Sequence, residues 1–360
     1  MRKRSGVAPA AVWPEGKGYG RYAILTMWDT GSLILALVSA RAIGIISEKE
    51  FDRRIKDTLR FLRRSRFRWG KARLPNYRTD IVSRRPAERG YDATDIGRLL
   101  TALHVLDKAT NGAYHVGKLV SRWDIEATIE DGRLYDIKSG NRFESRSNNY
   151  HYYIARAHRL WGFEVDRGYQ GDLSDATDRE AFVERVVETG TIASEPNANE
   201  LIELGPAPHA TVLGDIIYKA QQGRYNETGQ LTSISEAPID RKPWFTYQGF
   251  DRNGYGTFVW PVHSSVTDEK WQTEEFADRF RMVNSKAAFL WHALRDDDYA
   301  PKLRDYISAE AKTGSFGFAP GIYEQSGGKP NLMDINTNAM ILEAIAYRLN
   351  GQRPLASLRL

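Results

Sequence analysis

Apolar residues fall along the chain in two alternating patterns. From Thr30, the segment TGSLILALVSARAIG carries Leu33, Ile34, Leu35, Leu37, Val38 and Ile43 on nearly every side, so a helix over 30–43 has to be buried almost all round. The next segment, SEKEFDRRIKDTLRFLRRS, spaces Phe51, Ile55, Leu59 and Leu62 as one helical face and fills the other with arginine and lysine, which predicts a helix over 48–64 with one wet side. Ser47 followed by Glu50 has the form of a capping box and supports its start.

The alternation recurs. Ile96, Leu99, Leu100, Leu103 and Leu106 mark a buried helix over 95–107, and Val116, Leu119, Val120 and Trp123 a more one-sided follower. Further helices are expected over 150–161, 179–187, 211–221, 284–294, 301–309 and 337–349, about ten in all. Buried helices alternating with one-sided ones imply an inner ring wrapped by an outer ring, since each must cover its apolar surface with neighbours. The expected fold is mainly α, an (α/α)6-type barrel in one domain over 1–360, with 1–26 as a lead-in. The inner ring takes in 30–43, 95–107 and 337–349. Turn signals at Asp131-Gly132 and Ser139-Gly140, and the aromatic-rich stretch 231–262, predict short hairpins and ordered loops between helices. A helical solenoid is the competing architecture, but no fixed-period repeat supports it.

Composition narrows the chemistry. The 360 residues contain no cysteine, which excludes disulfides, thiolate metal sites and a thiol nucleophile. No apolar run reaches the length of a membrane span. The opening MRKRSGVAPAAV is basic but has no apolar stretch behind it, so no signal peptide is expected in this chain. A periplasmic or extracellular location would follow if one had been removed, and a cytoplasmic one otherwise. Of the net charge of +5, residues 53–89 alone hold 14 Lys/Arg against Asp57, Asp80 and Glu88. That stretch suits either a solvated helix face or attraction to an anionic glycan. No zinc finger, RNA-binding motif or glycine-rich nucleotide loop accompanies it, and no nucleic-acid partner is expected. Asp296-Asp297-Asp298 lacks an EF-hand pattern and reads as a helix start, so no metal and no cofactor are expected.

Polar and aromatic clusters stand just before the apolar helices. Trp28-Asp29-Thr30 offers a carboxylate beside an indole, or simply a helix cap. Tyr91-Asp92-Ala93-Thr94-Asp95, with Arg98 one turn on, offers the same two readings, Asp92 as cap and Asp95 as a sugar-binding or assisting carboxylate. Ser147-Asn148-Asn149-Tyr150-His151-Tyr152-Tyr153 is dense enough to be site or core. Glu236 and Asp240-Arg241 precede Trp244, Phe245 and Tyr247. Tyr323-Glu324 lies ahead of Asn336 and the last apolar helix. Glycoside hydrolysis needs two carboxyl groups meeting across a sugar, and Asp29, Glu236 and Glu324 are the candidates. Glu324 is the favoured proton donor, with Tyr323 desolvating it. Asp29 is the favoured partner, ionised at a helix N-terminus, with Glu236 in reserve. Trp28, Tyr150, Tyr153, Trp244 and Tyr323 are expected to line one concave surface, joined by Asp95, Arg98, His151, Asp240, Tyr247 and Asn336 as substrate contacts.

These clusters carry a resemblance. TMWDTGSLILALVSARAIGIIS, YDATDIGRLLTALHVL, RWDIEATIEDGRLY, LTSISEAPIDRKPWFTYQ, NSKAAFLWHAL, GIYEQSGGKPN and NTNAMILEAIAYRLNG together resemble the bacterial DUF3131 family over most of the chain. Its members look like (α/α)-barrel relatives of glucoamylase-like and β-1,2-glucan-acting enzymes. The resemblance implies a carbohydrate-processing toroid, with Asp29, Glu236, Asp240, Glu324 and Asn336 in matching motifs. One departure stands out: Tyr150-His151-Tyr152-Tyr153 replaces a Tyr-Glu-Gln-Tyr-like stretch, so His151 occupies the place of a carboxylate. Three functions stay open at this point. They are a hydrolase or transglycosidase acting on a bacterial poly- or oligosaccharide, a lyase using Asn149, His151 and Tyr153 on an acidic glycan, and a glycan-binding domain without catalysis.

Overall fold

The computed structural model describes residues 6–15, 18–145, 149–252, 258–264, 271, 273–314 and 317–360. Among them run twelve α-helices. The first six are α1 (Met27–Ala42), α2 (Glu48–Arg64), α3 (Ala93–Ala109), α4 (Gly117–Val120), α5 (Tyr150–Arg159) and α6 (Ala176–Glu188). The rest are α7 (Ser194–Glu203), α8 (Pro208–Thr228), α9 (Glu274–Phe280), α10 (Ser285–Leu294), α11 (Tyr299–Glu310) and α12 (Ile335–Leu349).

Six of these close a ring. α1 packs on α3, α3 on α5, α5 on α7, α7 on α10, α10 on α12, and α12 back on α1. α2, α8 and α11 pack on the ring helix that each follows, and α4 and α6 continue the same alternation after α3 and α5. After α12 a short 3-10 turn, Leu355–Ser357, packs against α3, α7 and α12. It stops the ring at the C-terminal ends of those helices, where Pro354 sits so close to Gly205 that a Cβ there would stand 2.9 Å from its ring. The architecture is an (α/α)6-type barrel.

Local chemistry explains the helix ends. The Thr26 hydroxyl accepts from the Asp29 backbone N–H at 3.0 Å, and the Asp29 carboxylate accepts from Thr26 N–H at 3.0 Å. This reciprocal cap starts α1 at Met27, three residues before the apolar run begins. α2 has the expected bounds; Ser47 accepts from Glu50 N–H, while the Glu50 carboxylate turns to Arg54. α1 buries residues on all sides, including Leu33, Ile34, Leu35, Leu37 and Val38, each stabilising by about 1.5–3 kcal/mol. α2 buries Phe51, Ile55, Leu59 and Leu62 and leaves its basic face outward, where Arg53, Arg54, Lys56 and Arg60 pair with carboxylates one turn away.

Two expectations needed correction. The follower over 116–123 shrinks to the four residues of α4, followed by turns. α7 and α9 were not anticipated, and α7 is a ring helix. Asp297 accepts from the Tyr299 and Ala300 N–H groups and so starts α11. The hairpin signals are two-residue loops: Lys138 pairs with Asn141 across Ser139 (φ 52) and Gly140 (φ 81), and Glu130 with Arg133 across Asp131 and Gly132. The strand Ala11–Glu15 pairs with both Gly18–Tyr22 and Met333–Asp334, which ties the early segment to the start of α12. A small sheet, Ala237–Pro238, Phe245–Gln248 and Val262–Ser264, covers a second apolar cluster containing Phe276, Phe280, Met282 and Tyr323. Among the described residues no helix is long and apolar enough to cross a membrane.

Candidate active site

All six ring helices bring a polar or aromatic residue of their first turn to the same end of the barrel. Asp29 is the third residue of α1 and Asp95 the third of α3; Tyr150 opens α5; Glu195 and Lys286 are second in α7 and α10. Asp334 is the N-cap of α12, accepting from Thr337 N–H at 2.7 Å, and Asn336 follows it. Glu236 enters from the loop ahead of the Ala237–Pro238 strand. The ring sets this convergence, because consecutive inner helices run in one direction when an outer helix returns the chain between them.

The group has two layers. Glu195, Lys286 and Asp334 form the floor and are buried. Lys286 is ion-paired with Glu195, and Asn336 donates its amide to Glu195 at 3.4 Å. The Asn336 carbonyl accepts from the Trp28 indole at 3.0 Å and the Ser32 hydroxyl at 2.7 Å. Above the floor, Asp29, Asp95, Glu236 and Tyr247 each keep partial access to solvent. Tyr150 presents its hydroxyl to Glu236, and its ring meets Trp28 edge-on, centroids 5.6 Å apart.

Crowding carboxylates in a place poor in water makes their charged forms costly. Burial pushes Asp29 up to about 6, against the hydrogen bonds from Thr26. Glu236 rises to about 7, first through burial and then through the charge of Glu195, with Lys286 and Tyr150 opposing. Asp95 is raised well above its ordinary range by burial and by Asp92, Asp29 and Glu236. Lys286 is held above its usual range: burial disfavours its charge, but Glu195 and Glu236 outweigh that. A helix N-terminus was expected to keep Asp29 readily ionised; desolvation outweighs that dipole, and the shift runs the other way.

Several candidates lie elsewhere. Both Glu324 oxygens accept from Arg224, at 2.9 and 2.8 Å, which commits that carboxylate to an ion pair from α8. Tyr323 is packed into the second apolar cluster beside Phe280. Asp240 accepts from Asn331 N–H at 2.9 Å and pairs with Arg241. Burial works against its charge, but these bonds hold its pKa below the usual value. Trp244 is exposed. The five aromatic residues therefore differ in setting: Trp28, Tyr150 and Tyr153 gather at the ring, Tyr323 is buried beneath the sheet, and Trp244 stands exposed just before the strand that carries Tyr247. Arg98 and Tyr153 are fully buried in the middle of the ring, where Arg98 meets Glu203, Glu343 at 3.0 Å and the Tyr153 hydroxyl at 3.1 Å. His151, about a quarter-turn round α5 from Tyr150, packs against Tyr152 and the backbone at Gly168. Asn149 donates to the Ala193 carbonyl at 3.1 Å. The three groups a lyase reading requires thus have separate structural partners, and Ser147 and Asn148 lie outside the described residues.

Glu195 and Lys286 were not anticipated. Lys286 had a visible signal, a lone cation in the otherwise apolar run opening α10. The stretch Ser194–Glu203 has glutamates and asparagines at buried positions, which removes the apolar periodicity by which a ring helix is recognised.

The family model for a protein of unknown function, DUF3131, matches residues 16–351. The chain belongs to the DUF3131 family. Among curated proteins none matches the sequence. Solved structures similar to this DUF3131 barrel include an endo-β-1,2-glucanase from Chitinophaga pinensis in complex with sophorotriose and glucose (TM-score 0.61, 12% identity, covering 99% of this chain and 89% of that one). An endo-β-1,2-glucanase from Talaromyces funiculosus with sophorose aligns at TM-score 0.60 and 12% identity, over 98% of this chain and 80% of that one. A candidate glucoamylase from Bacteroides caccae aligns at TM-score 0.60 and 12% identity, over 99% and 90%. At these identities the likeness is one of fold.

Proposed function

We propose that this DUF3131 protein is a glycoside hydrolase or transglycosidase acting on a bacterial poly- or oligosaccharide, with Glu236 as proton donor and Asp29 as base or nucleophile. The observation that carries this reading is that Asp29, Asp95 and Glu236, from three separate segments, converge with partial access to solvent and with raised pKa values. A donor at about 7 keeps its proton near neutrality, and a partner at about 6 has lost it there; two carboxyl groups held apart in this way divide the acid and base roles. The donor role falls to Glu236 because Arg224 occupies both oxygens of Glu324. Asp95 is the assisting carboxylate. Glu195 and Lys286 position the floor, and Trp28, Tyr150, Tyr247 and Asn336 shape the sugar site. Fold neighbours solved with sophorose or sophorotriose support a glucan as the first substrate to try. We read the barrel as one domain that includes the segment before residue 27, since Ala11–Glu15 pairs beside α12.

The test is release of reducing ends from a panel of neutral and acidic bacterial polysaccharides, with absorbance of unsaturated uronates followed alongside. Glu236→Gln is expected to lower turnover by about 10²–10⁴-fold while retaining the fold. The wild-type profile of kcat/KM should rise as pH passes about 6, where Asp29 ionises, and fall through about 7, where Glu236 loses its proton. Wild-type turnover in Glu236→Gln would remove that residue from the mechanism, and unsaturated products would replace hydrolysis by elimination.

A further inference from the structure

The hairpin that delivers Glu236 continues outward as an aromatic strip. In its sheet Ala237 pairs with Thr246 and Pro238 with Phe245. Ala237 and Thr246 are buried, and this face looks onto the second apolar cluster. Residues alternate across a strand, so Pro238, Phe245 and Tyr247 share the opposite face, and each keeps partial access to solvent. Continued one step, the register sets Tyr247 against Glu236; burial first and then the charge of Glu236 raise the pKa of the Tyr247 hydroxyl. The Phe245 and Tyr247 rings meet edge-on, centroids 5.3 Å apart.

At the tip stands Trp244, with 58% of its surface open, the most exposed aromatic side chain among the described residues. Its φ is +76°, a left-handed conformation disfavoured for a bulky side chain and met where surrounding structure imposes it. Here Trp244 N–H donates to the Arg241 carbonyl at 2.7 Å, its own carbonyl accepts from Ile239 N–H at 3.0 Å, and Asp240 anchors the turn to Asn331. The chain therefore holds a large apolar ring out in water on a braced turn. Among the described residues its ring belongs to neither apolar cluster.

We propose that Tyr247, Phe245 and Trp244 form an extended subsite for successive sugar units of a β-linked glucan chain, running from the carboxylate cluster to the hairpin tip. Flat apolar rings stack on the C–H faces of sugars, and a rigid platform avoids the ordering cost of a mobile one. The occupant follows from continuity with the proposed site, since a glucan whose scissile bond lies at Glu236 has to pass over Tyr247 and Phe245 to leave on this side. The inference rests on the hydrolase reading and adds that the substrate is a chain several units long.

Calorimetric titration of the full chain with a β-1,2-linked gluco-disaccharide and gluco-octasaccharide tests it, with turnover of the octasaccharide measured on the same samples. Trp244→Ala and Phe245→Ala are each expected to weaken octasaccharide binding about tenfold and to leave disaccharide binding unchanged, their thermal melts confirming that both variants fold. Octasaccharide binding equal to wild type in both variants, or no binding by the wild-type chain, overturns the subsite. Turnover unaffected by the two substitutions would overturn the subsite and leave the hydrolase; strip-dependent binding without turnover would do the reverse.

Discussion

Two ring helices, α1 and α7, solve the same burial problem with opposite chemistry. α1 is enclosed by α3, α12 and α2 and meets them with leucine, isoleucine and valine. α7 is enclosed by α5, α8, α10 and α12 yet buries Glu195, Asn197, Asn199, Glu200 and Glu203. Tertiary structure brings Lys286 to Glu195, while Asn197 and Asn199 bond one turn back in their own segment, to the Ala193 carbonyl and to the Glu195 carboxylate at 3.5 Å. Arg156 and His209 meet Glu200, and Arg98 and Tyr153 meet Glu203. Apolar burial is non-directional and tolerant of detail. Buried charge is stable only in a completed network, and removing one member leaves the others exposed to a medium that cannot solvate them. The barrel is thus held by α1-like surfaces and specified by α7-like ones, and the proposed chemistry sits where the second kind reaches the mouth.

The largest effect should come from breaking the α7 network at its cation. Arg98→Ala leaves Glu203 and Glu343 buried without their shared guanidinium and is expected to cost about 3–5 kcal/mol by denaturant unfolding. A cost under about 1 kcal/mol would mean that the network is dispensable. Leu35→Ala, in the apolar α1, should cost a comparable but smaller amount, about 2–4 kcal/mol. Because it removes no charge, that cost should stay constant from pH 5 to 8, and a marked pH dependence would contradict the contrast drawn here.

Asp29→Asn gives the smallest effect and the opposite sign. The Asp29 pKa is raised by folding, to about 6 from 3.8. As pH rises from about 4 to 6 the unfolded chain releases this proton while the folded chain retains it, so stability falls across that window and the loss is complete above it. The substitution should therefore stabilise by about 1–2 kcal/mol at pH 8, after allowing for the solvent that still reaches the group, and by close to nothing at pH 4. Thermal melts at the two pH values read this directly. Destabilisation at pH 8 would show that the cap on Thr26 outweighs the desolvation of the carboxylate.

How far the molecule could be read in advance follows the same division. The wet and dry faces of α2 settled its bounds, and the apolar runs of α1, α3 and α12 marked them as buried. Asp29, Asp95 and Glu236 were visible because each precedes or opens an apolar element beside an aromatic residue. Glu324 had the same local appearance, and no local feature revealed that Arg224, a hundred residues earlier, would take both of its oxygens. His151 drew attention by standing where a carboxylate was expected, but α5 turns it away from the cluster that Tyr150 joins.

By itself, the amino-acid sequence determined where water is excluded: the alternation of helix types, the inner ring this implies, and the stops between elements. These are nearest-neighbour properties, set by side chains within a turn or two of one another. The tertiary structure decided which charges meet. The pairing of Glu195 with Lys286, the commitment of Glu324 to Arg224 and the raised pKa values of Asp29 and Glu236 depend on groups from different helices. The strength of a buried charge's interactions is set by distance and desolvation, and neither exists until the ring has closed.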